Sequence, residues 1–192
     1  MGTATAQDII AMKNKLIQAC LDLASMQSWS DVSMDDIANR ADVDFDNAMA
    51  LCPDKDSLFM AYGRQVDLKV AEAFDGEAWD GMSDKDRLFD VLMERFDVLN
   101  ENRAGVISII NAITLDPKQM ICLSPMVCQS MEQMMRVACV DHDGWKGAIK
   151  LTALSGVYLK SLRDWVKDDT ADMSMTMASV DKGLGYLNKI NI

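Results

Sequence analysis

Five cysteines (Cys20, Cys52, Cys122, Cys128 and Cys139) and a single histidine, His142, are the groups of this 192-residue chain best suited to nucleophilic or metal chemistry. Their spacing assembles no site. Cys122 and Cys128 are the closest pair, and no further thiol or imidazole stands near enough to complete a zinc pattern. An odd count also rules against a closed disulfide framework, so the thiols read as free and reduced. His142 sits between Asp141 and Asp143 and reads as a loop residue. There is no phosphate-cradling glycine loop, no Gly-x-Ser-x-Gly elbow and no histidine paired with a nucleophilic cysteine. The expectation is a protein that is not an enzyme, with no cofactor and no metal.

Charge is more informative. Residues 41–58, ADVDFDNAMALCPDKDSL, have the apolar spacing of two short helices about a tight turn, a helix–turn–helix. Such a unit lays its second helix in a groove lined by phosphates. Here it carries Asp42, Asp44, Asp46, Asp54 and Asp56 against one base, Lys55. Residues 1–60 hold four basic side chains (Lys13, Lys15, Arg40 and Lys55) and ten aspartates, within a chain of net charge −11. Affinity for duplex DNA comes largely from phosphate neutralisation, and DNA-docking faces are usually basic. The shape and the charge of this segment therefore point in opposite directions.

The elements that must position these residues read as helices nearly throughout. Apolar residues make up 49% of the chain, enough for a real core. No apolar run approaches the ~20 residues of a membrane span. The start, MGTATAQDII, lacks a basic region followed by an apolar core, so no secretory signal is read and a cytoplasmic protein is expected. A first helix over Gln7–Met26 carries the stripe Ile9, Met12, Leu16, Ala19, Leu23 and Met26. Ser33 can cap a second helix that turns Met34, Ile37, Ala38 and Ala41 inward. Asp42 and Val43 make the turn, and Asp44 caps a third helix from Phe45 to about Leu51. Pro53 stops it, and a fourth helix runs from Asp54 towards Phe74. The segment GEAWDGMSD, residues 76–84, is the clearest linker. Beyond it lie candidates over Asp84–Asn100, Ala104–Thr114, Pro117–Val140 with a break near Ser124-Pro125, Trp145–Lys167 and Thr170–Ile190.

The later part of the chain is rich in methionine, 16 in all. Met120, Met126, Met131, Met134 and Met135 lie beside the isoleucine-rich stretch 104–114. Flexible methionine side chains fill irregular apolar space, whether a core or a bound ligand. Both readings stay open; on the second, Ile107, Ile110, Asn111, Met131, Met134 and Met135 line an apolar cavity. In the last helix Met173, Met177, Val180, Leu184 and Leu187 recur at a coiled-coil-like spacing. With Leu151, Ser155, Tyr158 and Leu162 of the preceding helix, Met177, Val180 and Leu184 are the expected interface of a homodimer, a four-helix arrangement. Packing inside one chain is the alternative.

Residues 8–59, DIIAMKNKLIQACLDLASMQSWSDVSMDDIANRADVDFDNAMALCPDKDSLF, resemble the head of the TetR family of regulators. A long first helix, the segment W…VSM.DIA..A.V, a short third helix and a P.K..L entry to the fourth all follow that family's order. DRLFDVLMERFDVLNENRAG (86–105) and VYLKSLRDWVKDDTADMSMTMASVDKGL (157–184) resemble a bacterial subgroup of it. The resemblance implies an all-α protein. It has a helix–turn–helix head over 1–60 and a helical ligand-binding and dimerisation bundle over 61–192. It implies a ligand-responsive regulator, a repressor, that binds operator DNA as a dimer and holds a small hydrophobic effector. It implies DNA contacts from Lys55, Asn47, Phe45 and Ser33. The departures fall where DNA would touch: Asp42 replaces a turn glycine, and Met49 and Leu51 stand where Tyr and His usually donate to phosphate. The C-terminal helices also resemble, loosely, a lipid-binding class on the same scaffold associated with ubiquinone biosynthesis. That implies the alternative function, a lipid- or isoprenoid-binding protein that no longer reads DNA.

Overall fold

The computed structural model describes residues 5–189, with side chains as far as Leu187, and every regular element among these residues is helical. The α-helices are α1 (Ala6–Met26), α2 (Met34–Ala41), α3 (Phe45–Leu51), α4 (Lys55–Ala73), α5 (Asp84–Asn100), α6 (Arg103–Thr114), α7 (Pro117–Val137), α8 (Gly144–Lys167) and α9 (Ser174–Lys189). A single 3-10 turn, Trp29–Asp31, joins α1 to α2. The expected end of the last helix at Ile190 lies outside the described residues. The chain divides into two compact units. One runs to Arg64 and takes in Asn102–Leu123; the other is Gln65–Glu101 with the chain from Ser124 onward. Helices α4 and α7 each run from one unit into the other.

In the first unit, α1 opens with a reciprocal cap in which Thr5 and Asp8 satisfy each other's backbone N–H. Its buried face is Leu16, Ile17, Ala19, Cys20, Leu21 and Ala24. Only Leu16 and Ala19 of the expected stripe are fully buried, while Ile9 and Met26 near the helix ends are exposed. The reason is α6. A Cβ on Gly105 would stand 2.4 Å from the Leu21 carbonyl oxygen, so α6 approaches α1 at a distance only glycine allows. Val106, Ile109 and Ile113 are then buried in the same unit. The isoleucine-rich stretch thus packs with the head, and that unit extends past residue 60.

In the second unit, Leu92, Phe96, Met131, Met134, Met135, Leu154, Trp165, Val180 and Leu184 form the core. Burying each such side chain stabilises the fold by about 1.5–3 kcal/mol. Phe96 stacks on Tyr158 with ring centroids 5.7 Å apart, and Trp165 donates from Nε1 to Asn100 at 2.9 Å. Helix α7 continues through Pro125 instead of breaking there. It stops at Val137, short of the expected Val140, because Cys139 turns left-handed (φ 51°) and Val140 N–H returns to the Met135 carbonyl at 2.9 Å. Helix α9 begins at Ser174, later than expected. Asp168, buried ahead of it, accepts from the Thr170 hydroxyl (2.5 Å) and from the N–H and hydroxyl of Thr176 (2.7 and 2.8 Å).

Candidate functional site

The helix–turn–helix segment forms as its residues dictate. Ser33 Oγ accepts from Asp36 N–H and donates to the Asp36 carboxylate at 2.6 Å, while Ser33 N–H donates to the same carboxylate. Asp42 closes α2 in the left-handed conformation (φ 53°, ψ 48°), which aspartate tolerates better than most residues. Asp44 caps α3 by accepting from Asn47 N–H at 3.2 Å. Ala48 is buried, so α3 shows Phe45, Asp46, Asn47 and Ala50 to solvent.

Lys55 is tied into the fold. Its ammonium donates to the carbonyls of Trp29 (2.8 Å) and Val32 (2.7 Å) and stands 4.5 Å from the centre of the Trp29 ring. Burial lowers its pKa, while Cys20, Asp56 and Asp31 act in the opposite direction. Burial also pushes the Cys20 thiol up to about 12. Two of the three ammonium N–H groups thus hold the turn between α1 and α2. Ser33 and Lys55 are brought together on the rim of an open hollow that Asp54, Asp56 and Gln119 share. Ser33 has its hydroxyl proton committed to Asp36, whereas the side chains of Phe45 and Asn47 are exposed on α3. Lys13 lies close enough to Cys52 to lower its thiol pKa against the larger, raising effect of burial. Arg40 pairs with Asp22 at 3.3 Å.

The expected ligand residues fall in both units. Met131, Met134 and Met135 are buried in the second unit, whereas Ile107, Ile110 and Asn111 belong to the first. The second unit also buries a polar network. Arg95, 4% exposed, meets Asp67 at 3.1 Å, donates to Ser130 Oγ and donates to the Tyr158 hydroxyl at 2.5 Å. Ser130 in turn donates to Asp67 at 2.6 Å. A buried charge needs such partners, and removing either ion would strand the other. No sequence signal pairs Asp67 with Arg95; the only hint is an arginine amid the apolar stripe Leu92, Phe96 and Leu99.

The expected interface residues all lie in the second unit and differ in burial. Val180 and Leu184 are 0% and 2% exposed, and Tyr158 is held by Arg95. Ser155 is buried and donates to the Leu151 carbonyl at 2.8 Å; Leu151 and Leu162 are half-buried. Surface already covered inside one chain has nothing left to offer a second copy, so the seam through Tyr158, Val180 and Leu184 turns inward. Met177 remains exposed. What α8 does present is Trp145 (72% exposed), Ile149, Thr152, Gly156 and Leu159 (50% exposed), at spacings of four and three. A Cβ on Gly156 would meet nothing within 4 Å. Helix α9 adds Met175, Ala178 and Tyr186 as exposed residues.

No protein-family model matches the chain, and no curated protein matches it. Solved structures do match. A TetR transcriptional regulator from Nitrosomonas europaea ATCC 19718 superposes with a TM-score of 0.74 at 18% identity, over 93% of this chain and 98% of that one. The chain has the TetR fold. A TetR transcriptional regulator from Rhodococcus sp. RHA1 gives 0.70 at 19% identity, over 92% and 95% of the two chains. A tetR-family transcriptional regulator from Streptomyces coelicolor gives 0.60 at 20%, over 100% and 85%. On this TetR fold the helix–turn–helix has its caps and its turn, while its exposed side chains include Asp35, Asp36, Asp42, Asp44 and Asp46. None of the described helices is long and apolar enough to cross a membrane.

Proposed function

We propose that the chain is a TetR-type transcriptional regulator that acts as a homodimer in the cytoplasm. Its head over residues 1–60 meets operator DNA, and its body over 61–192 answers a small effector. The observation that carries this reading is the full-length match to structures bearing the name of TetR regulators, joined to an intact, doubly capped helix–turn–helix. The phosphate donors available to it are Lys13 and Lys15 of α1, the remaining N–H of Lys55 and the Asn47 amide, with Phe45 against the bases. Few donors facing several aspartates give modest affinity with a shallow dependence on salt. The exposed stripe Trp145, Ile149, Thr152, Gly156 and Leu159, with Met175 and Tyr186, is the dimer face; Gly156 lets a second backbone approach.

One observation favours a second reading: Lys55 is held by the fold, and α3 presents Asp46 beside the capping Asp44. On that reading the head has kept its shape without reading DNA, and the scaffold binds a lipid or isoprenoid. Selection of genomic fragments on the purified protein at low salt separates the two. Enrichment of particular fragments supports the regulator; a population that stays unselected at every salt concentration supports the second reading.

A further inference from the structure

Ten aspartates make residues 1–60 acidic, and most of their carboxylates are committed inside the head. Asp8 and Asp36 complete the caps of α1 and α2, and Asp44 caps α3. Asp54 accepts from Ser57 N–H at 2.7 Å, and Asp56 accepts from the Gln119 amide at 3.2 Å. Asp22 pairs with Arg40, and Asp35 accepts from Asn39. Asp31 lies in the 3-10 turn and Asp42 at the left-handed end of α2. Asp46 stands on α3 itself, exposed and with no hydrogen bond or ion pair among the described residues.

Ala48 is 0% exposed and fixes which side of α3 faces inward. Asp46 and Ala50, two residues away in either direction, stand about 160° around the helix from it. Both are exposed, so they form the outermost edge of α3, with Asn47 next to them. A recognition helix reads base edges with the side chains its outer face carries into the major groove. An ionised carboxylate accepts hydrogen bonds and donates none. Guanine shows it two acceptors, N7 and O6, and thymine shows the acceptor O4. Adenine sets the acceptor N7 beside its amino group, whereas cytosine offers its N4 amino group as a donor alone. Near phosphates the same carboxylate weakens binding to every sequence. Its contribution is therefore discrimination between sequences, at some loss of strength on all of them.

We infer that Asp46 is a specificity-determining residue that accepts a hydrogen bond from a cytosine N4 amino group, so that the operator carries a G·C pair with its cytosine facing α3. The inference rests on the regulator reading and deepens it, giving the exposed acidic side chain of α3 a task in recognition.

The test is selection from a randomised duplex library at low salt, followed by sequencing, with the full-length protein and its variants Asp46→Asn, Asp46→Ala and Asp42→Asn. Asp46 is exposed, so its replacement leaves the packing of the head undisturbed. The unaltered protein is expected to prefer cytosine at one position at least about fivefold over each other base. Asp46→Asn is expected to move that preference to adenine, whose N6 and N7 match an amide. Asp46→Ala is expected to bind every duplex more tightly and to lose the preference. Asp42→Asn keeps a residue that tolerates the left-handed turn and removes one charge; it is expected to bind more tightly with the preference unchanged. Enriched sites without such a cytosine, a cytosine preference that survives Asp46→Ala, or one that disappears in Asp42→Asn would each overturn the inference and leave the regulator reading standing. A library that stays unselected at every salt concentration would overturn both.

Discussion

Replacing Lys55 by methionine separates a lysine that holds the head together from one that waits for phosphate. Methionine keeps most of the aliphatic stem, so the change removes the charge and two hydrogen bonds, to Trp29 and Val32, with little loss of volume. A hydrogen bond from a charged donor contributes about 1.5–3 kcal/mol, and a partly exposed cation over an aromatic ring about 0.5–1 kcal/mol. Two facts reduce the sum. Lys55 is half-exposed, so water competes for it, and the Trp29 carbonyl keeps a second donor in Val32 N–H at 3.3 Å. The expected loss is about 2–3 kcal/mol, which a domain of ordinary stability survives. Urea unfolding followed by circular dichroism and by tryptophan fluorescence measures it, with the urea dependence of the free energy unchanged. A loss below about 0.5 kcal/mol, the range of an ordinary surface substitution, would refute the reasoning. The ammonium would then not be securing the turn, and Lys55 would return to the set of free phosphate donors.

Other outcomes follow from the same geometry. Burial pushes the Asp168 carboxyl up, but hydrogen bonds from Thr170 and Thr176 outweigh it and hold the group at about 2, against an ordinary value of 3.8. The folded value lies below the unfolded one, so this stabilisation of about 2 kcal/mol is present above pH ~4 and fades as pH falls towards 2. Urea stability measured across that window should lose the slope in Asp168→Ala. Leu159→Glu should convert the dimer proposed above to a folded monomer by sedimentation, whereas Leu184→Ala should cost about 2–5 kcal/mol of stability without changing the mass. At pH 8 a thiol reagent should reach Cys122, Cys128 and Cys139 quickly, and Cys20 and Cys52 only after unfolding; rapid modification of Cys20 would contradict its burial.

The helices, their caps and the turn at Asp42 were legible in the sequence because they depend on local chemistry: Ser33 with Asp36, Asp44 with Asn47, Pro53 as a stop. Which face of each helix turns inward was less legible. On α9 the apolar stripe through Val180 and Leu184 fits a core and an interface equally, and only the position of α8 decides between them. Gly105 carried no visible signal that α6 would join the head, since the Leu21 carbonyl that demands it lies far away in sequence. The Arg95–Asp67 pair was hidden for the same reason. Lys55 was recognised by type and position, but its two carbonyl partners belong to a 3-10 turn whose path no periodicity reports.

Whether the acidic head proposed above reads DNA is decided by the salt dependence of its affinity. Anisotropy of a labelled genomic fragment, compared with a scrambled duplex between low and physiological salt, gives both the preference and the slope. Preferential binding is expected that weakens as salt rises with a small slope, about −0.9 for each phosphate that Lys13, Lys15 and the remaining N–H of Lys55 neutralise. Binding that is absent, or equal for the two duplexes, at the lowest salt would contradict it.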